Sequence, residues 1–342
     1  MNLVFDLNTI WFFLVGILLT GYAILDGFDL GIGALHLFTK TDHDRRIMLN
    51  SIGPIWDGNE VWLVTGGGAL FAAFPEVYAT AFSGFYLAFM LLLFSLIFRA
   101  VAIDFRSKKA SATWRKTWDI SFTLGSILAS LLIGTALGNV AWGVPLDAEH
   151  EFAGSFFTLL NPYSLLVGLV VVVLFMMHGA LYGVLKTEGK LQDQLKKLFK
   201  TNFTLFVIGY IIITIATLLF ANNITEHFKS TPWLMVFPLL NVLAIANVYW
   251  QHSRGKDIMA FLSSCFAILL LMLIFGLGIY PDMLYSNPLP ENTLNIYNAA
   301  SSQKTLRIML TIAIIGMPFV IMYTSTIFWI FRGKVKLDSS SY

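Results

Sequence analysis

The sequence predicts an all-α integral membrane protein of nine transmembrane helices, with its N-terminus outside and its C-terminus in the cytoplasm. Three observations carry this reading. The 342 residues are 57% hydrophobic and only 12% charged, about half the charged fraction of a soluble domain. Apolar stretches of about 18 or more residues, enough to cross a bilayer as a helix, recur along the whole chain. Basic residues gather in every second connection and in the tail. They are Lys40, Arg45 and Arg46, then Arg106, Lys108, Lys109, Arg115 and Lys116, then Lys186, Lys190, Lys196, Lys197 and Lys200, then Arg254 and Lys256, then Arg332, Lys334 and Lys336. The opposite side holds only Lys229, Lys304 and Arg307. Cytoplasmic loops carry the excess of positive charge, so the asymmetry sets the orientation.

The first span, about 8–38, opens where Asp6 and Asn8 lead into Trp11, Phe12 and Phe13, the pattern of an interfacial aromatic belt. No Lys or Arg precedes Lys40, so this segment lacks the basic start of a secretory signal. The remaining spans fall at about 47–73, 78–104, 118–142, 162–186, 201–221, 232–251, 257–280 and 305–331. At about 1.5 Å per residue each reaches across a hydrocarbon core of about 30 Å. The longer ones imply tilt or interfacial overhang. The two longest connections, about 143–161 and 281–304, lie outside and are too short for a domain. Chemistry therefore belongs in the membrane, at its surface or in a partner. The single cysteine, Cys265, excludes an internal disulfide and any CxxC motif.

The chain, 1–342, reads as one membrane domain with a faint internal repeat. A fixed offset of 152 aligns LVG at 14–16 with LVG at 166–168, and DGFDLG at 26–31 with HGALYG at 178–183. This divides it into a four-helix unit over 1–142 and a second over 143–280. The remainder, 281–342, holds the outer loop, a peripheral ninth helix and the cytoplasmic tail.

The candidate site is the polar residues inside the apolar spans. Asp26, Asp29, Gly33 and His36 fall at i, i+3, i+7 and i+10, one face of the first helix. Asn50, Pro54, Asp57 and Glu60 lie close to one face of the second. Asp26 and Asp57 each sit about 5 Å to the cytoplasmic side of mid-span, Asp29 about 9 Å, and Glu60 near the middle. The acids thus meet at similar depth. An intramembrane acid is costly and faces protein or water, and burial near other carboxylates makes such groups protonatable near neutral pH. The functional reading is a proton path from the cytoplasm; the plain one is that the acids tie helices together. The glycines of GFDLG at 27–31 and those at 66–68 suit close helix contact. Trp56 and Trp62 flank the acids and shape their pocket, with Asn59 between them. Arg99, inside the third span, can snorkel or pair with Asp104.

Haem ligation by two imidazoles needs both to face one iron. His43, His150 and His227 fall in loops, His36 and His252 at cytoplasmic span ends, and only His178 lies well inside a span. No haem or metal site is expected from this chain alone.

The motifs GYAILDGFDLGIGAL (21–35), RRIMLNSIGPIWDGNEVWLVTGGGALFAAFPEVYATAFSGFY (45–86), FRAVAIDFRSK (98–108) and SSQKTLRIM (301–309) resemble subunit II of the cytochrome bd-type quinol oxidases. The match is dense over 21–108 and thinner through 143–300. The resemblance implies two four-helix bundles plus one helix, and a membrane heterodimer in the bacterial inner membrane. The partner, subunit I, binds two b-type haems and one d-type haem. It oxidises quinol near the outer face and reduces oxygen to water with cytoplasmic protons, building proton-motive force. Subunit II supplies no haem ligand. Its implied proton route uses Asp57, in the WDGN motif, with Asp29 nearby, and Trp62 matches a tryptophan at a proposed oxygen entrance. A structural quinone in subunit II is known in some members; the resemblance leaves a small single-span accessory subunit open, membrane lipid completes the partners, and no nucleic acid is involved. One departure is Glu60, which stands where the family commonly has glutamine and leaves the division of work between Asp57 and Glu60 open. Two other classes remain: a scaffold for the haem subunit with inert acids, and a proton-coupled transporter, for which acids in one half of a parallel repeat are a poor match.

Overall fold

The computed structural model describes residues 6–337. Eight helices among them are long and apolar enough to cross a membrane. They are α1 (Leu7–Leu35), α5 (Tyr86–Phe105), α6 (Ala112–Trp142), α7 (Pro162–Lys186), α8 (Gly189–Phe220), α10 (Val236–Ser253), α11 (Asp257–Ile279) and α12 (Gln303–Ile330). Short helices α2 (Asp42–Ile52), α3 (Trp56–Ala73), α4 (Pro75–Gly84) and α9 (Asn222–Ser230) join them. Polar residues at the starts set several boundaries. Asp6 accepts from the Thr9 N–H, Asn161 from Ser164 and Ser302 from Thr305, each satisfying a backbone donor the first turn leaves free. Asn161 followed by Pro162 explains why the predicted 162–186 is the observed helix.

Two predicted spans differ. The stretch 47–73 is two helices, α2 and α3, separated at Gly53–Ile55. Pro54 has no N–H to give the Asn50 carbonyl, and its ring would strike that carbonyl in a continuous helix. What remains is α3, which opens with Asp57, Asn59 and Glu60, so the ninth predicted span is less apolar than those eight. The stretch 78–104 is likewise split at Phe85, whose φ of −93° and ψ of 17° leave the helical region. The break follows Gly84, a weak helix former that lies directly against the Phe152 ring.

The core sits where α1 and α7 cross. Helix α1 packs against α3, α6, α7 and α11, and α7 against α6, α8 and α11. Gly27 faces the Phe175 ring, and Gly31 faces the Phe175 carbonyl and Gly179. These contacts advance together along both helices, as they do when two helices run the same way. A methyl on Gly31 would overlap the Phe175 backbone. Helix α5 lies on α6, α10 on α11, and α12 touches only α1 and α3 among the larger contacts.

Each end is tied. At one, Asn8 Nδ2 donates to the Ile296 carbonyl at 2.7 Å and Trp11 Nε1 to the Leu306 carbonyl at 2.9 Å. There the two long connections meet through a Val144–Ser286 bridge, and the second folds back on itself as the two-stranded β1 (Asp282–Leu284) and β2 (Leu294–Asn295). At the other, Asp119 of α6 accepts from Arg106 Nε at 2.5 Å and Arg45 Nη1 at 2.9 Å, and pairs with His36 Nε2 at 2.6 Å. Asp42 bridges Arg106 and Arg115 at its rim.

Candidate functional site

The helical spacing of three puts Asp26 and Asp29 on the buried face of α1, and both are fully buried. Arg99, arriving from α5, is also 0% exposed. Its Nη2 donates to Asp26 Oδ1 at 2.7 Å, and its Nη1 reaches Asp26 Oδ2 at 3.4 Å and Glu60 Oε2 at 3.3 Å. Gly125 of α6 makes room: a Cβ there would fall 2.7 Å from the Ser95 carbonyl and 3.3 Å from Arg99 N. The Trp56 ring lies 6.0 Å from the guanidinium carbon. Asn59 of α3 donates to Asp29 Oδ2 at 2.8 Å and to the Leu25 carbonyl at 3.3 Å. Asp29 Oδ1 and Arg99 Nε are buried without a protein hydrogen-bond partner among the described residues.

The expected residues therefore converge in part. Asp26, Asp29, Asn59, Glu60, Arg99 and Trp56 form one group. Glu60 is 21% exposed at the side chain. Asp57 is exposed on the outer face of α3. It sits in the first turn of α3, where the helix dipole favours an acid. Around it that face is apolar, with Val61 52%, Val64 71% and Phe71 59% exposed. Trp62 stands two turns along α3 against Gly21 and walls an apolar cavity of about 540 Å³. A second cavity of about 590 Å³ adjoins it and shares Leu19, Leu137, Met272 and Phe275.

Three expectations need correction. Arg99 does not pair with Asp104, which is exposed; five residues along a helix turn Asp104 well away from Arg99's face. His36 does not join the acids but bonds Asp119 in the separate charged group. Of the glycines at 66–68, only Gly66 meets a neighbour, Leu19, and Gly67 and Gly68 have open space beside them. The sequence reading missed Asp119 and the burial of Arg106. Asp119 is an acid within the fourth apolar stretch, the same signal that drew notice to Asp26 and Asp29. His178, the one deep histidine, donates from Nε2 to the Ile24 carbonyl at 3.0 Å and pairs at Nδ1 with Ser264 Oγ at 2.7 Å. Both ring nitrogens are engaged by protein partners. Among the described residues no group of three or more His, Cys, Asp or Glu could hold a metal ion.

Fold and site together define a polytopic helical membrane protein that keeps a carboxylate–guanidinium group inside its helix assembly. The chain belongs to the cytochrome bd terminal oxidase subunit II family, whose model matches residues 7–331. It is 36% identical to the cytochrome bd-I ubiquinol oxidase subunit 2 of Escherichia coli K12, over 97% of this chain and 96% of that one. It is 31% identical to the cytochrome bd ubiquinol oxidase subunit 2 of Bacillus subtilis, over 97% of each. Its fold matches a chain of the bd oxidase from Geobacillus thermodenitrificans with a TM-score of 0.79 at 18% identity, over 95% of this chain and 98% of that one. The protein is a multi-pass protein of the bacterial inner membrane.

Proposed function

We propose that this chain is the second subunit of a heterodimeric terminal quinol oxidase, stabilising a haem-bearing subunit I and giving it a proton path. The haems, two of b type and one of d type, and the oxidation of quinol belong to the partner. This chain's own work is to hold and move protons. One observation carries the reading: Asp26 and Glu60 share a single buried guanidinium, and a third carboxyl group, the buried Asp29, has no cation of its own and is held by the Asn59 amide. Uncompensated charge is expensive in low dielectric, so such a group binds protons rather than stand fully ionised. Glu60 leads from the group to the surface, and Asp57 lies one turn away on the same helix. A bare carboxylate on an apolar face at membrane depth is unfavourable, which favours a protein covering α3 there. Protons drawn from the cytoplasm pass Asp29 and Glu60, reach Asp57 and cross to the partner.

The test is quinol-driven oxygen uptake by the whole complex carrying Asp57→Asn. The expected result is a loss of roughly 100-fold or more, the general range for removing a proton-transfer group, with haem content retained. Full uptake across pH defeats the proton path. The Asp26–Arg99 pair favours a second reading, an inert scaffold in which the acids only join helices, and that reading requires the full uptake. The two adjoining cavities have an apolar lining and a size suited to an isoprenoid chain, and we assign them to a structural quinone. Extraction of the purified complex and assay of quinone per chain checks this.

A further inference from the structure

The last carbonyls of a helix lack partners within it and must find them elsewhere. At the end of α7 they find them in the chain's own tail, about 150 residues later. Lys334 Nζ donates to the Val184 carbonyl at 3.1 Å and to the Thr187 carbonyl at 2.8 Å. The Val335 N–H donates to the Lys186 carbonyl at 2.9 Å. The exchange is reciprocal, because Lys186 Nζ donates to the carbonyl of Phe331, the residue that ends α12. Lys186 is only 8% exposed, and its ammonium lies 5.5 Å from the Tyr182 ring. Tyr182 in turn stacks on Phe28 at 4.0 Å and donates to the Ser51 carbonyl at 2.9 Å. Each helix therefore caps the other. The site also touches α1 between Gly27 and Asp29, and α2 just before the break that precedes Asp57.

Beyond its first turn, where Trp11 holds the Leu306 carbonyl, helix α12 has little else to hold it. Only 6% of its apolar window is buried, and its larger contacts are with α1 and α3. We infer that residues 331–335 form a latch that fixes the inner end of α12 on α7 and so sets α12 beside α3. Helix α3 carries Asp57 and Glu60, so the latch fixes one edge of the face that, on the reading above, meets the haem-bearing subunit. It is a positioning device, and it moves no proton itself. The lysine geometry gives it chemical specificity: a cation that donates twice is needed at 334, so Arg substitutes for Lys there and Gln or Met does not.

The test uses the whole oxidase in its native membrane, with the chain tagged at its N-terminus. Three variants are compared with the wild type: Lys334→Gln, Lys334→Arg, and a stop codon after Arg332. Hydrogen exchange is read over the last two turns of α12, and haem is measured per tagged chain after detergent extraction. The expected result is at least tenfold faster exchange in Lys334→Gln and in the truncated chain, near-wild-type exchange in Lys334→Arg, and several-fold less haem retained where exchange is fast. Unchanged exchange in Lys334→Gln overturns the latch. Should the truncated chain fail to accumulate, Lys334→Gln alone decides. A wild-type chain that brings no haem with it defeats the partner reading instead, and the exchange measurement still stands.

Discussion

Arg99 answers Asp26 and Glu60 at once, so the side chain has no neutral substitute. Removing one partner from a buried ion pair costs about 3–5 kcal/mol, because the other charge is stranded. Arg99→Gln should therefore lower the amount of assembled complex sharply. Arg99→Gln with Asp26→Asn should recover much of it, since both charges then leave together. Thermal unfolding of the purified complexes, compared as a double-mutant cycle, checks the coupling. This residue also marks what could be read in advance. Spacing along one helix placed Asp26 and Asp29 on one face, and depth counting brought Glu60 level with them, but it brought Asp57 there too, and that residue is exposed on the outer face of α3. Nothing local to Arg99 tells which helix it faces; that depends on how α5 leans on α6, through Gly125. Asp282, in β1 and outside the spans, gives a pH-dependent case. Burial pushes its carboxyl above the ordinary carboxylate value. A group raised on folding resists ionisation, so its cost is absent at acid pH and grows as pH rises through the ordinary value towards the raised one. Asp282→Asn should leave Tm unchanged near pH 4 and raise it at pH 7–8.

Among the elements, the break between α2 and α3 matters most. Pro54 ends the register of α2, and Trp56 starts a new helix with Asp57 in its first turn. Alanine is preferred over proline by about 3 kcal/mol inside a helix, so Pro54→Ala lets the two segments fuse. Fusion turns α3 about its axis and removes Asp57 from a helix N-terminus. The expected outcome is a complex of equal or higher thermal stability with reduced oxygen uptake, measured on the same preparation. The rod reading of 47–73 failed here because its apolar count looked past one residue that lacks a donor. The reading of 162–186 succeeded because Asn161, Pro162 and Lys186 punctuate both ends in the chain itself. The two charged groups tell the same story. The acids of α1 were legible from spacing, while the His36–Asp119 pairing joins residues 83 positions apart and rests on how α1 and α6 meet.

At the scale of the molecule, the basic connections give an orientation that can be tested directly. Trypsin added to inside-out vesicles should cut within 190–200, where the lysines are mostly exposed, and intact right-side-out vesicles should resist at those bonds. Cleavage from the outer side reverses the proposed direction of proton uptake. The distances in sequence between bonded groups also bear on how the chain is made. Asp26 and Arg99 lie 73 positions apart, and the bond from Trp11 to Leu306 spans 295. Ribosomes add about 5–20 residues per second, so the guanidinium follows its carboxylate by roughly 4–15 s. Through that interval α1 carries two acids with no cation to meet them, and a bilayer is a poor place for it to wait. The first helix should therefore stay beside the insertion machinery until the third long apolar segment arrives, and leave for the lipid only as one of a group.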